Sequence, residues 1–163
     1  LRVAESLCFD YLRMHNVEIR IARIFNTYGP RMAKNDGRVV SNFVCQSLLN
    51  QPITVFGEGN QTRSFCYVDD LIIGMIKLME SNYYLPINIG NPNEFSINEV
   101  ANKVKKLINP NLKIVNKPLP SDDPLQRKPD ISLAKKILNW TPKTQIDAGL
   151  TKTINWFKKD LNL

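Results

Sequence analysis

An amphipathic helical stripe that runs into a short alternating strand, cut off by glycine and proline, is the feature that most narrows the fold. Val3, Leu7, Tyr11 and Met14 recur at three- and four-residue spacing, with Cys8 and Leu12 beside them, which predicts a helix over residues 2–14. Residues 17–24 then alternate Val17, Ile19 and Ile21 against Glu18 and Arg20, the period of a strand. Gly29-Pro30 ends that strand. A helix feeding a strand whose carboxyl end opens into a polar turn is a unit of α/β architecture.

The pattern continues along the chain. Val40, Phe43, Val44 and Leu48 predict a helix over residues 39–49, and residues 53–56 read as a short strand. Gly57-Glu58-Gly59-Asn60 is turn chemistry, because glycine and asparagine accept positive φ. A strand over 64–68 and a helix capped by Asp69 and running to Met79 follow. Residues 87–90 form the next strand. Ser96-Ile97-Asn98-Glu99 is a capping box that opens a helix carrying Val100, Val104 and Ile108. A strand is expected over 112–115 and a long loop with four prolines over 117–129. Residues 131–138 predict a short helix, and Ile146, Leu150, Ile154 and Phe157 stripe the last one.

Composition limits what such a chain can do. No apolar run among the 163 residues approaches the roughly 18 needed to span a membrane. Lys and Arg number 22 against 15 Asp and Glu, a net charge of +7. That balance suits an anionic partner, or simply a lysine-rich solvated surface. The basic residues form no block interleaved with aromatics, so no nucleic-acid partner is expected. Cys8, Cys45 and Cys66 are odd in number and far apart, with no metal-ligand spacing. They read as reduced, mostly buried thiols. Cys8 and His15 lie two helical turns apart, outside hydrogen-bond reach of each other.

Three loops hold polar groups that packing does not require. Asn26-Thr27-Tyr28 stands at the carboxyl end of a strand, where open α/β sheets bind ligands; Asn26 there contacts a ligand or caps the next turn. Arg63 follows the glycine-rich turn, and a guanidinium beside turn amides suits a phosphate as well as an exposed surface. Asp122-Asp123-Pro124-Leu125-Gln126-Arg127-Lys128-Pro129 could clamp a substrate or remain solvated. There is no Walker A loop and no dinucleotide-binding glycine fingerprint. Physical reasoning alone reaches an α/β domain with a plausible anion site.

Four segments together carry a resemblance. Residues 23–32 (Arg-Ile-Phe-Asn-Thr-Tyr-Gly-Pro-Arg-Met) resemble the signature of the extended short-chain dehydrogenase/reductase family. Residues 35–43, residues 59–68, and Asp123-Pro124 with Arg127-Lys128-Pro129-Asp130 narrow it to the family's UDP-glucuronate decarboxylases, also called UDP-xylose synthases. The resemblance runs from Arg2-Val3-Ala4-Glu5 to Trp156-Phe157. It implies the carboxyl-terminal part of a Rossmann fold joined to a small α/β nucleotide-sugar-binding domain. Residues 1–36 would end the NAD-binding Rossmann domain. Residues 37–163 would be mainly the sugar-nucleotide domain, with segments returning to the Rossmann sheet. The family's glycine-rich phosphate loop and Tyr-x-x-x-Lys pair do not occur here, and Leu1 stands where the Lys would fall. The chain is therefore expected to resemble the carboxyl-terminal half of such an enzyme and to be inactive by itself.

The activity implied is NAD-dependent conversion of UDP-glucuronate to UDP-xylose. A hydride leaves C4 of the sugar, the resulting β-keto acid loses carbon dioxide, and the hydride returns. By motif, Asn26, Val40, Asn42, Thr54, Phe56 and Arg63 are implied at the nucleotide sugar, with Arg63 at the phosphates. Thr27, Tyr28 and Arg38 are implied on the NAD side. Arg127 is implied at the sugar, orienting its carboxylate as the catalytic residue of this half. Tyr67 is expected to pack and Asp70 to cap a helix. A homodimer through the helix carrying Val3, Leu7 and Tyr11 is implied for the complete protein, in the cytoplasm or the Golgi lumen. Other nucleotide-sugar 4,6-dehydratases or epimerases, or a non-catalytic fragment, are the competing readings.

Overall fold

The capping box fixes the clearest helix start in the computed structural model, which describes residues 2–119 and 126–163. The Ser96 hydroxyl accepts from the Glu99 N–H at 3.1 Å, and a Glu99 oxygen accepts from the Ser96 N–H at 2.6 Å. These bonds hold the Glu99 carboxyl below its ordinary range. The helices are α1 (Arg2–His15), α2 (Val39–Leu48), α3 (Val68–Glu80), α4 (Ile97–Ile108), α5 (Ser132–Leu138) and α6 (Ile146–Asp160).

The strands are short and mostly parallel. β1 (Ala22–Ile24) pairs with β6 (Ile87–Ile89), and β2 (Thr27–Tyr28) with β5 (Cys66–Tyr67). β3 (Ile53–Phe56) pairs with β8 (Ile114–Lys117). β4 (Thr62–Ser64) lies between antiparallel β7 (Glu94–Ser96) and parallel β9 (Gln126–Arg127). Parallel neighbours demand crossover connections, which the intervening helices supply.

Several expectations change in physical detail. The strand expected over 17–24 is ordered as a ladder only over Ala22–Ile24, because its partner β6 is three residues long and Asn16 turns the chain with φ of 52°. The strand expected over 64–68 is two strands in different sheets. Thr62–Ser64 joins β7 and β9, while Cys66–Tyr67 turns to β2. β8 lies two residues later than expected, set by the Ile53–Ile114 register. Asp69 does not cap α3: the helix begins at Val68, with no side-chain cap at its start. Asp70 caps no helix either. It accepts from the Thr144 N–H at 2.8 Å, and its carbonyl accepts from the Trp140 indole at 3.0 Å, tying α3 to the segment before α6. Tyr67 packs, as expected, 3% exposed in the core.

Two apolar clusters form. One gathers Tyr28, Val44, Val55, Val100, Val104, Leu150 and Phe157 between α2, α4, α6 and β3. The other gathers Leu71, Leu78, Ile87, Ile89, Leu138 and Trp140 around β6, α3 and α5. Outside them, α1 exposes Val3, Leu7, Tyr11 and Met14, and α3 exposes Ile72, Ile73, Ile76 and Met79. Among the described residues, no helix is long and apolar enough to cross a membrane.

The first cluster is close-packed at one revealing point. A methyl group on Gly149 of α6 would run into the Tyr28 hydroxyl and ring. That hydroxyl already donates to the Ile146 carbonyl at 3.3 Å. Overpacking such a site costs about 1–3 kcal/mol. Gly149→Ala is therefore expected to lower the urea unfolding midpoint clearly without changing the slope. An unchanged midpoint would show that Tyr28 can move aside.

Candidate functional site

Two cavities meet at the amino-terminal end of α2. The larger, about 680 Å³, is lined by Phe25, Asn26, Thr27, Tyr28, Met32, Arg38, Val40, Phe65, Leu71 and Arg127, among others. The smaller, about 100 Å³, is lined by Asn42, Thr54, Phe56, Gln61, Arg63 and Ile97, among others. Gly37 and Val39 belong to both walls. Every residue named from the motifs as a binding or catalytic candidate thus lines one or other of two adjoining cavities. Asn26, Thr27, Tyr28, Arg38, Val40 and Arg127 fall at the larger, and Asn42, Thr54, Phe56 and Arg63 at the smaller.

Local structure explains how each is held. β1 ends at Ile24 and β2 starts at Thr27, so Asn26 stands between two strands with its carbonyl accepting from the Cys66 N–H at 2.8 Å. The Thr27 hydroxyl donates to the Phe25 carbonyl at 2.9 Å. Asp36 secures the start of α2. Its carboxylate accepts from the Arg38 N–H at 3.0 Å and from the Ser41 hydroxyl at 2.5 Å, and lies 3.5 Å from the Arg38 guanidinium. Sequence reasoning passed over Asp36, although Asp followed by Gly before a helical stripe is a recognisable Asx-turn signal.

Val40 and Tyr28 differ from the other lining residues. Val40 is 2% exposed and sits in the first turn of α2. First-turn N–H groups have no partner within their own helix and favour negative charge. Tyr28 is 1% exposed, with edge-on contacts to Phe65 and Tyr67 and its hydroxyl engaged at Ile146. Burial pushes its phenol well above the ordinary value. Its polar end is turned to the core and not to the cleft.

Thr54 is braced by Gln46, whose Oε1 accepts from the Thr54 N–H at 2.9 Å and whose Nε2 donates to the Thr54 hydroxyl at 3.3 Å. The Gln61 amide donates to the Phe56 carbonyl at 2.8 Å, folding the turn back on β3. Asn98 secures the same turn from α4. It donates from Nδ2 to the Glu58 carbonyl at 2.7 Å and from its main chain to the Gly59 carbonyl at 3.0 Å. Gly59 has φ of 74°, and a side chain there would collide with Asn98.

The two arginines are set side by side. Arg63 of β4 pairs in parallel register with Arg127 of β9. Residues opposed in register point to the same face of a sheet, on strands about 4.8 Å apart. Arg63 is 5% exposed and donates from Nη1 to the Thr62 carbonyl at 2.8 Å, whereas Arg127 is exposed. On the opposite face, Glu94 of β7 accepts from Gln126 at 2.7 Å and from Thr62 at 2.8 Å, and pairs with Lys128 at 3.2 Å. The Gln126 and Thr62 bonds, with Lys128, hold its carboxyl below the ordinary range. Neither Glu94 nor β7 was anticipated from the sequence, since three residues after Asn91-Pro92-Asn93 carry no readable period. Asp122, Asp123, Pro124 and Leu125 lie outside the described residues.

With this geometry in hand, the chain can be placed. Residues 2–90 match the model of the NAD dependent epimerase/dehydratase family, and the chain belongs to that family. It is 57% identical over 162 residues to UDP-glucuronic acid decarboxylase 3 of Arabidopsis thaliana, covering 99% of this chain and 47% of that protein. It is 50% identical over 160 residues to UDP-glucuronic acid decarboxylase 1 of Xenopus tropicalis, covering 98% and 38%. The chain thus spans less than half the length of these curated relatives. Among solved structures, UDP-glucose 4-epimerase from Thermotoga maritima with UDP-glucose superposes with a TM-score of 0.94 at 27% identity, covering 98% of this chain and 52% of that one. UDP-glucuronic acid 4-epimerase from Bacillus cereus, in complex with UDP-glucuronic acid and NAD, superposes at 0.87 with 30% identity, covering 95% and 50%.

The wall beside Asn26 is tight enough to silence a thiol. Burial, with the Asp70 carboxylate second, pushes Cys66 up to about 12. A raised thiol has almost no thiolate at neutral pH, and only the thiolate reacts. Iodoacetamide at pH 8 is therefore expected to label the partly exposed Cys8 while Cys66 waits for denaturant. Labelling of Cys66 in the folded chain at a similar rate would mean that the β2–β5 wall opens.

Proposed function

We propose that this chain supplies the nucleotide-sugar-binding half of an NAD-dependent UDP-glucuronate decarboxylase, which makes UDP-xylose. The observation that carries this reading is the in-register pair Arg63 and Arg127, bordering adjoining cavities at a helix amino-terminus. Two guanidinium groups on one face of a sheet can each meet a different charged group of the same anion. UDP-glucuronate has such groups, a diphosphate and a sugar carboxylate. The names of the relatives support the same ligand.

The chain's own residues then divide the work. Arg63, buried at the smaller cavity with Asn42, Thr54 and Phe56, holds the diphosphate and nucleotide end. Asn26 and the first-turn N–H groups near Val40 meet the phosphates from the larger cavity. Arg127, exposed at the rim, grips the carboxylate and turns it out of the sugar plane, so that the breaking bond overlaps a carbonyl at C4. Arginine seldom releases a proton, so its role is orientation and charge. Thr27 and Arg38, with the main chain at Tyr28, border the region where NAD fits, at the carboxyl end of β1. NAD, when bound, supplies a reversible hydride acceptor for C4. We further propose that residues 1–36 complete the Rossmann domain and 37–163 form mainly the sugar-nucleotide domain. The exposed face of α1, with Val3, Leu7, Tyr11 and Met14, would pair two copies into a homodimer.

The test uses the full-length protein that carries this chain. Arg63→Ala is expected to weaken UDP binding by about 2–3 kcal/mol in calorimetry, the loss of a charge-assisted contact. Arg127→Ala should leave UDP affinity intact and lower kcat for carbon dioxide release by roughly a hundredfold. Equal losses of UDP affinity in both variants would place both arginines at the phosphates. Formation of an epimerised uronate with no carbon dioxide would assign the site to an epimerase.

A further inference from the structure

We propose that Glu94 is a positioning residue for Arg127, fixing the direction in which its guanidinium points. This rests on the reading of Arg127 as the cation at the sugar end. β9 is two residues long and both are exposed. Among the described residues β4 is its one ladder partner, so a single edge sets its rotation about its own axis. Side chains add to that hold. Gln126 and Lys128, the two neighbours of Arg127, both reach the same carboxylate on β7, at 2.7 and 3.2 Å. Successive side chains in a strand point to opposite faces. Gripping the residues on either side of Arg127 from one face therefore holds Arg127 on the other, where the larger cavity opens.

The remaining contacts make this a frame and not a single bond. Glu94 also accepts from the Thr62 hydroxyl at 2.8 Å, so it is anchored to β4 as well as to β9. The Ser64 hydroxyl donates to the Arg127 carbonyl at 2.8 Å, fixing the main chain at Arg127 itself. One carboxylate thus ties together the three strands that set Arg63 beside Arg127. The exposed Lys128 pair is weak as a source of stability. Its value lies in geometry, since a displacement of about 1 Å in a substrate-orienting group can cost on the order of a hundredfold in rate.

The experiment measures turnover of UDP-glucuronate and affinity for UDP, in the full-length protein carrying this chain. Glu94→Ala is expected to lower kcat roughly tenfold to a hundredfold, with UDP affinity unchanged within about twofold. Glu94→Gln should recover much of that loss, because an amide oxygen still accepts from Gln126 and Thr62. The double variant Glu94→Ala/Arg127→Ala should be no slower than Arg127→Ala alone, as required of a residue acting through another. If Arg127→Ala is slow but Glu94→Ala turns over normally, or if the two losses multiply, the inference is overturned. Full turnover by Arg127→Ala would instead overturn the reading of Arg127, and the inference with it. Should Glu94→Ala fail to fold, Gln126→Leu/Lys128→Met removes the same grip from the other side. It must reproduce the kcat loss, and normal turnover there would overturn the inference.

Discussion

The parallel register between Thr62–Ser64 and Gln126–Arg127 is the constraint on which the site depends. It brings residues 64 positions apart in the sequence side by side and faces two guanidinium-bearing side chains the same way. Slipping that register by one residue would send Arg127 to the opposite face of the sheet, among the groups that Glu94 collects. The middle strand β4 is central to this arrangement because both its edges are taken, by β7 and by β9. On its other side Arg63 stands opposite Phe95 of β7.

Everything else positions that pair against an opening. The break between β4 and β5 at Phe65 lets the chain leave one sheet and join another, so Arg127, paired with β4, and the Asn26-Thr27-Tyr28 segment border the same space. α2 enters with its amino-terminus toward that space, held there by Asp36. The two apolar clusters meet the opening from either side, through Val40 and Phe65 of one and Leu71 of the other. Tyr28 of β2 and Cys66 and Tyr67 of β5 are buried behind it. The rim carries Arg127 on a strand two residues long.

Much of this was legible in the sequence, and for identifiable reasons. The helices carry long apolar stripes, and the capping box at Ser96 states its own geometry. Most of the candidate site residues lay within motifs whose order, more than any single one, carried the resemblance, while Thr54 and Phe56 lay just ahead of one of them. What escaped was decided by tertiary pairing. A two- or three-residue strand such as β7 or β9 has too few residues to show a period, so the proline-rich segment read as loop where Gln126–Arg127 pairs with β4. The strand expected over 64–68 divided because a sheet switch leaves no mark in alternation. Asp70 looked like a cap because it opens a helix, and only the fold reveals that its partner is the Thr144 N–H.

The central claim is that Arg63 and Arg127 hold the two ends of one doubly anionic ligand. A crystal structure of the full-length protein with UDP-glucuronate tests it most directly. The account predicts the diphosphate within hydrogen-bond distance of the Arg63 guanidinium and the uronate carboxylate facing Arg127. A ligand whose carboxylate lies away from Arg127, or whose phosphates are held without Arg63, would contradict it.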